Sequence, residues 1–433
     1  MKFSVEAGGK LTGEIRVPGD KSISHRSIML GAIAEGVTTV TGFLQGEDNF
    51  ATLNAFRAMG VNIDDSDRDH IVINGVGLHG LCAPEDDLYL GNSGTSIRLL
   101  SGLLAGQKFT STMTGDTSLS GRPMARVMNP LREMGADIAG TDTNTPPLKV
   151  KPAEALHGVD YVMPMASAQV KSCVLLAGLY ADGQTCVTEP APTRDHTERM
   201  LNGFGYQVNR DGNKVCLQGG GRLAGTEIQV PADISSATFF MVGACIAEGS
   251  DITLTHVGIN PTRIGVINIL REMGANIEVL NQRDVCGEPV ADIHVTYQPL
   301  HGIQIPEDQV PLAIDEFPAI FVAAACADGQ TVLTGAEELR VKESDRIQVM
   351  ADGLNILGIE ANATPDGIII EGGKLGSGEV QSHGDHRIAM SFTMAALRAS
   401  GTITVHDCSN VNTSFPGFSE LAARTGCRIS QFG

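Results

Sequence analysis

Several short phrases gather cations, hydroxyls and amides where an anion could be held. PGDKSISHRS (residues 18–27) puts Lys21, Ser22, His25 and Arg26 at a strand end entering a helix. In a helix's first turn the N–H groups are free and the dipole favours negative charge, so Lys21 and Ser22 suit a phosphate or carboxylate there. Arg26 follows one turn on along the same face, and a lysine point charge beside an arginine fork fits such an anion. The same residues also describe an ordinary capped surface helix. LGNSGTSIRLL (90–100) opens another helix with small residues, Gly94 among them, and Arg98 inside its first turns. It lacks the spacing of a P-loop. Close backbone approach to a ligand and a plain capped turn both account for it. GDTSLSGRPM (115–124) places Arg122 before Pro123 at an expected helix start.

MASAQVKS (165–172) offers Ser167 and Gln169, which suit a polyol hydroxyl or a phosphate oxygen, and EPAPTRDHTERM (189–200) sets Arg194 ahead of a further helix. Capping alone explains both phrases as well. The acids come later. AIDEFPAIFVAAAC (313–326) opens an apolar helix with Asp315 and Glu316, and ELRVKESDRIQVM (338–350) packs Arg340, Lys342, Glu343, Asp345 and Arg346 together. The second phrase reads as a solvated helix face or as a site. GDHRIAMSFTMAALRA (384–399) carries Asp385, His386 and Arg387 at the mouth of a long apolar helix. Cations at helix starts oppose the dipole, and a bound anion would offset that cost.

A repeat positions these phrases. A helix end of the form L-x-x-M-G-x-x-I recurs six times, with its glycine at Gly60, Gly135, Gly205, Gly274, Gly358 and Gly426. An alanine-rich helix end, a glycine and a β-branched run alternate with it, at Gly36, Gly106, Gly183, Gly249, Gly329 and Gly401. At each glycine a helix should stop in the left-handed C′ conformation and a strand begin. The period is far longer than a solenoid repeat, so six units, grouped as two similar halves, are expected. The phrase V-P-x-D occurs in GEIRVPGDKS (13–22) and again in EIQVPAD (227–233). These segments read as the two strands of a hinge near 18–22 and 227–233. One domain would then comprise 1–19 with 231–433, and a second, 20–230, would be inserted into it. The anion would be gripped between the two.

Composition bounds the class. The chain has 433 residues, 42% apolar and 19% charged, enough for more than one core. A formal charge of −19 argues against nucleic acid and requires any anion-binding cations to be concentrated locally. No apolar run is long enough to span a bilayer, and the N-terminus reads as alternating strand rather than signal peptide. The nine cysteines are scattered without a C-x-x-C pair and read as small, reduced core residues of a cytoplasmic protein, with no metal site.

PGDKSISHRS, GNSGTSIRLL, SGRPM, SAQVKS, TRDHTERM, DEFPA, RVKESDR, GDHRIAM and TSFPGF (413–418) occur in order over the full length. Together they resemble the 5-enolpyruvylshikimate-3-phosphate synthase family. The resemblance implies an α/β fold, the inside-out α/β barrel of two similar domains, each of three βαβαββ units. It implies transfer of the enolpyruvyl group of phosphoenolpyruvate to the 5-hydroxyl of shikimate 3-phosphate, without metal or cofactor, by a monomer. It places Lys21, Ser22, Arg26, Ser167, Ala168, Gln169, Arg194, Asp315 and Lys342 around shikimate 3-phosphate. It places Lys21, Gly94, Arg122, Gln169, Arg346 and Arg387 around phosphoenolpyruvate. Asp315 would take the 5-hydroxyl proton and Glu343 would protonate the methylene carbon, a division of acid and base work between two carboxylates. Lys21 and the arginines would stabilise the departing phosphate.

Departures from the best-known branch fall at Ala168, Glu338, Leu99 and Thr413, and S-A-Q-V-K-S, T-R-D-H-T and T-S-F-P match the divergent second bacterial branch. Thr413 stands where that first branch has a lysine, so the phosphoenolpyruvate contact of that lysine is not carried over. Gly94 leaves room for glyphosate, which should compete with phosphoenolpyruvate. UDP-N-acetylglucosamine enolpyruvyl transferase is the alternative, but STMTGDTSLSG (111–121) lacks the reactive cysteine that enzyme generally carries there.

Overall fold

The computed structural model describes residues 1–433. Six helices are apolar around nearly their whole circumference, which leaves them no stable place but an interior. Ile234–Ile246 and Phe317–Ala325 are buried at every residue, and His386–Ala395 at every residue but Arg387. Lys21–Ile33, Gly94–Ala105 and Ala168–Gly178 are buried apart from a few positions at their starts. The L-x-x-M-G phrases end six further helices, such as Ala125–Glu133 and Gly265–Glu272, which bury one face only.

Strands enclose the buried helices. Five of six small sheets have one parallel edge strand followed by antiparallel neighbours, and the sixth, Gln330–Leu333 with Gly367–Glu371 and Ala361–Thr364, has only isolated parallel bridges at that edge. In one, Leu88–Tyr89 runs parallel to Ser111–Thr114, which pairs antiparallel with Leu148–Lys151, and that in turn with Asp137–Ala139. Another repeats the pattern with Asp160–Val162, Gln184–Thr188, Lys214–Gln218 and Val208–Asp211. No sheet closes on itself. With helices inside and strands outside, this is the expected inside-out arrangement built from two-helix units.

The chain divides into two compact units, Met1–Pro18 with Pro231–Gly433, and Gly19–Val230. Each has its own apolar core and three of the six sheets. Thr12–Ile15 forms the parallel edge beside Asp251–Gly258, and Lys2–Val5 lies between Ile403–His406 and Ile429–Phe432. Glu227–Gln229 forms the parallel edge beside Glu35–Thr41. Each V-P-x-D phrase supplies a helix cap: Asp20 accepts from Ile23 N–H at the start of Lys21–Ile33, and Asp233 from Ser235 N–H at the start of Ile234–Ile246.

Three expectations need correction. Ten of the twelve junction glycines have positive φ, but Gly106 and Gly401 do not. Gly106 is right-handed (φ −85°, ψ −3°), and a Cβ there would lie 2.1 Å from the Tyr180 ring, so its smallness serves packing rather than handedness. The helix after Arg122 begins at Ala125, because Met124 N–H is drawn to the carbonyl of Asn144 and Met124 becomes the cap. Arg122 instead follows a short helical turn, Thr117–Ser120. Finally, Cys186 and Cys216 are not reduced thiols. They face each other across antiparallel strands with Cα atoms 4.1 Å apart and form a disulfide. A sequence separation of 30 hid that register. Cys82 and Cys286 are exposed, so they are not core residues either.

Candidate active site

In the unit Gly19–Val230 the starts of the buried helices are tied to one another. Lys21, the first residue of its helix, places Nζ 2.6 Å from Asp48 Oδ2, and Asn49 Nδ2 donates to the Lys21 carbonyl. Arg26 is almost fully buried. Its Nη1 donates to the Ser22 carbonyl, its Nε to Thr197 Oγ1 at 2.7 Å and its Nη2 to Ser172 Oγ at 2.9 Å. That one side chain therefore joins helices Lys21–Ile33, Ala168–Gly178 and His196–Gly203. Ser167 caps the second of these and Ala168 is its first residue, while Arg194 directly precedes Asp195, at the N-cap position of the third. Gln169 accepts from Arg98 Nη1 at 2.5 Å and donates to Thr95 Oγ1 at 3.1 Å, which fixes which way its amide points.

Gly94 opens its helix behind the Ser93 cap. A Cβ on it would lie 2.9 Å from Arg122 Nη1 and 3.0 Å from Arg98 Nη1. Arg122 is held by Asn92 Oδ1 at 2.5 Å, and Asn92 by Asp116. Under this loop His25 is buried, with Nδ1 2.9 Å from Thr52 Oγ1 and Nε2 3.4 Å from Ser93 Oγ. Burial, then the neighbouring charges of Lys21 and Arg26, push its pKa well below the ordinary histidine value. It is a neutral link between two helix starts.

In the other unit the acids and cations form one cluster about Arg346. Its guanidinium, 1% exposed, has Nε 2.8 Å from Asp385 Oδ2, Nη2 2.6 Å from Glu343 Oε2 and Nη1 3.4 Å from Asp315 Oδ1. Burial opposes charge there, but Asp385, Glu343 and Asp315 outweigh it and raise the pKa further above its usual value. Lys342 Nζ lies 3.4 Å from Asp315 Oδ1 and 2.6 Å from Glu338 Oε1. Arg387 Nη1 donates to the Asp315 carbonyl at 3.0 Å and lies 3.7 Å from Glu316. Lys342 and Glu343 sit in the connection between the 3₁₀ turn Glu337–Val341 and helix Arg346–Ile356, not on a solvated helix face. Thr413 Oγ1 donates to the Asn410 carbonyl within its own turn.

The cost of cations at helix starts is thus already met in part by carboxylates. Sequence reasoning missed Asp48, and it noted Asp385 without seeing that it anchors Arg346. Their signal was faint, an acid beside a glycine at a helix start (GED, GDH), a pattern that capping also produces.

Lys21, Arg26 and Arg98 in the first turns of buried helices of one unit, with Asp315 and Glu343 about a buried arginine in the other, are the residue types of an α/β group transferase with anionic substrates. The sequence matches the family EPSP synthase (3-phosphoshikimate 1-carboxyvinyltransferase) over residues 5–421. The chain belongs to that family. It is 67% identical to the 3-phosphoshikimate 1-carboxyvinyltransferase of Methylococcus capsulatus over 99% of this chain and 98% of that one. It is 66% identical to that of Nitrosococcus oceani, over 99% and 97%. Among solved structures, an EPSP synthase from Acinetobacter baumannii superposes with a TM-score of 0.90 at 62% identity, covering 99% of this chain and all of that one. No helix is long and apolar enough to cross a membrane.

Proposed function

We propose that the protein transfers the carboxyvinyl group of phosphoenolpyruvate to the 5-hydroxyl of shikimate 3-phosphate, releasing phosphate, in the shikimate pathway towards aromatic amino acids. The hydroxyl oxygen bonds to C2 of phosphoenolpyruvate as its own proton leaves, and C3 gains a proton to become methyl. The resulting tetrahedral species loses phosphate from C2 and a proton from C3, which restores the double bond.

The observation that carries this reading is that Asp315 and Glu343 share one buried guanidinium, Arg346. Such a reaction needs two separate proton exchanges near an anion, and two carboxylates ordered by one fixed cation supply them. Asp315 takes the hydroxyl proton and Glu343 serves C3. Lys21, Ser22, Arg26, Ser167, Ala168, Gln169, Arg194, Asp315 and Lys342 receive shikimate 3-phosphate. Lys21, Gly94, Arg122, Gln169, Arg346 and Arg387 receive phosphoenolpyruvate, and the positive charge of Lys21 and the arginines stabilises the leaving phosphate. A monomer in the cytoplasm belongs to the same proposal, and sedimentation tests the first part.

The test is phosphate release from phosphoenolpyruvate. It should require shikimate 3-phosphate. Release supported by UDP-N-acetylglucosamine instead would overturn the proposal in favour of the other enolpyruvyl transfer.

A further inference from the structure

The proposed chemistry leaves one buried charge network without a role. Lys171, in the second turn of helix Ala168–Gly178, is fully buried, with Nζ 2.5 Å from Glu189 Oε1 and 2.7 Å from Glu198 Oε1. Glu189 is fully buried too and takes a second cation at its other oxygen, Arg210 Nη2 at 2.7 Å. Burying a lysine and two glutamates is costly, and it is tolerated only where the partners hold one another in a single geometry. What that geometry fixes is residue 193. Thr193 donates its hydroxyl to Glu189 Oε1, and its carbonyl accepts from Lys171 Nζ at 3.5 Å. That carbonyl belongs to the peptide group shared with Arg194, and the next residue, Asp195, stands at the N-cap position of helix His196–Gly203.

The same helix pair carries a second seam beside the first. Ser172 Oγ lies 2.7 Å from Thr197 Oγ1, and both receive Arg26. Consecutive residues, Lys171 and Ser172, thus meet consecutive residues, Glu198 and Thr197. The charged step leads to Arg194 and the hydroxyl step holds Arg26.

We propose that Lys171, Glu189 and Thr193 are positioning residues for the phosphate-binding arginines, Arg194 above all, and thereby set the affinity for the phosphorylated acceptor without taking part in proton transfer. The proposal rests on the reading of Arg194 as a shikimate 3-phosphate ligand. A guanidinium on a pre-fixed backbone loses less freedom on binding than one on a loose loop, and loosening it lowers affinity without touching the reacting atoms.

The test uses the full-length chain, with shikimate 3-phosphate affinity by titration calorimetry and steady-state kinetics for both substrates. Thr193→Val keeps the shape and removes only the hydroxyl, and Lys171→Met removes the central charge. Each should weaken shikimate 3-phosphate binding by about tenfold or more, the scale of one charge-assisted hydrogen bond, with kcat and the KM for phosphoenolpyruvate little changed. In an Arg194→Ala background, Thr193→Val should have no further effect, because it acts through that arginine. A Thr193→Val effect that persists undiminished in that background would overturn the proposal, as would unchanged acceptor affinity in Thr193→Val. Should Lys171→Met fail to fold, the Thr193→Val arm decides alone. If Arg194→Ala by itself leaves acceptor affinity unchanged, the assignment of Arg194 falls, and the positioning role with it.

Discussion

Removing Asp385 tests the cluster about Arg346 at its most buried point. The Asp385 carboxylate is fully buried, accepts from Arg346 Nε at 2.8 Å and from Ser344 Oγ at 3.1 Å, and caps helix His386–Ala395 through Arg387 N–H. Breaking a buried ion pair from one side costs about 3–5 kcal/mol. Glu343 and Asp315 remain beside Arg346, so the low end applies, about 3 kcal/mol. Loss of the cap adds about 1 kcal/mol, giving about 4 kcal/mol for Asp385→Ala. Asp385→Asn keeps a single oxygen, which can still cap the helix, so it should lose less than the alanine variant by about the value of the cap. Urea unfolding followed by far-ultraviolet circular dichroism measures both, as a shift of midpoint at constant slope. Because Asp385 also orients Arg346 and the start of the Arg387 helix, the KM for phosphoenolpyruvate should rise in the same variants, by about tenfold, while acceptor affinity holds. An alanine variant within about 1 kcal/mol of the parent would show that the cluster is not held from Asp385.

Other consequences are as open to measurement. Glu343→Gln keeps an oxygen for Arg346 but cannot exchange a proton, so turnover should fall by about 10²–10⁴-fold with shikimate 3-phosphate binding intact, and a variant with normal turnover would remove Glu343 from the mechanism. Lys21→Ala should weaken both substrates together, and a loss confined to one would mean the residue is misassigned. Gly94→Ala forces Arg122 and Arg98 to move, since its Cβ would lie 2.9 and 3.0 Å from them, so the KM for phosphoenolpyruvate should rise. Glyphosate should compete with phosphoenolpyruvate in the parent, and unchanged activity at millimolar glyphosate would contradict that. His256 has its pKa lowered from 6.5 to about 4, by burial first and then by Arg16 and Arg283. The unfolded chain therefore binds a proton that the folded one refuses, and stability should fall as pH drops from about 6.5 to about 4. His256→Asn, which tolerates the positive φ of 58° at that position, should flatten that stretch of the curve, and an unchanged slope would exclude the histidine as its source.

How far the sequence could be read depended on the range of the interaction. The glycine junctions are local, and Gly36, Gly60 and their counterparts announced the repeat because a positive φ selects glycine at its own position. That Lys21, Gly94 and Gln169 stand at the starts of buried helices was legible for a similar reason, since polar phrases opening apolar helices stand out within ten residues. Asp48 was not legible, because nothing within its own helix requires it to meet Lys21. The Cys186–Cys216 bond and the Lys171–Glu189 pair depend on which strand and helix faces are brought together, and register leaves no mark in spacing. Gly106 looked like its counterparts and yet answers to Tyr180, a packing demand that only the folded chain reveals.

The way the strands are shared out also bears on how the chain is made. Gly19–Val230 is one uninterrupted stretch, and its last sheet is complete once Glu227–Gln229 joins Glu35–Thr41. It can close on the ribosome while the remainder is still being synthesised. The opening strands have no such early partner. Thr12–Ile15 must wait for Asp251–Gly258, and Lys2–Val5 for Ile403–His406 and Ile429–Phe432. Lys2–Val5 and Thr12–Ile15 therefore leave the ribosome well before the strands they pair with, and until Ile429–Phe432 emerges the nascent chain carries unpaired backbone that a chaperone or a neighbouring polypeptide could engage.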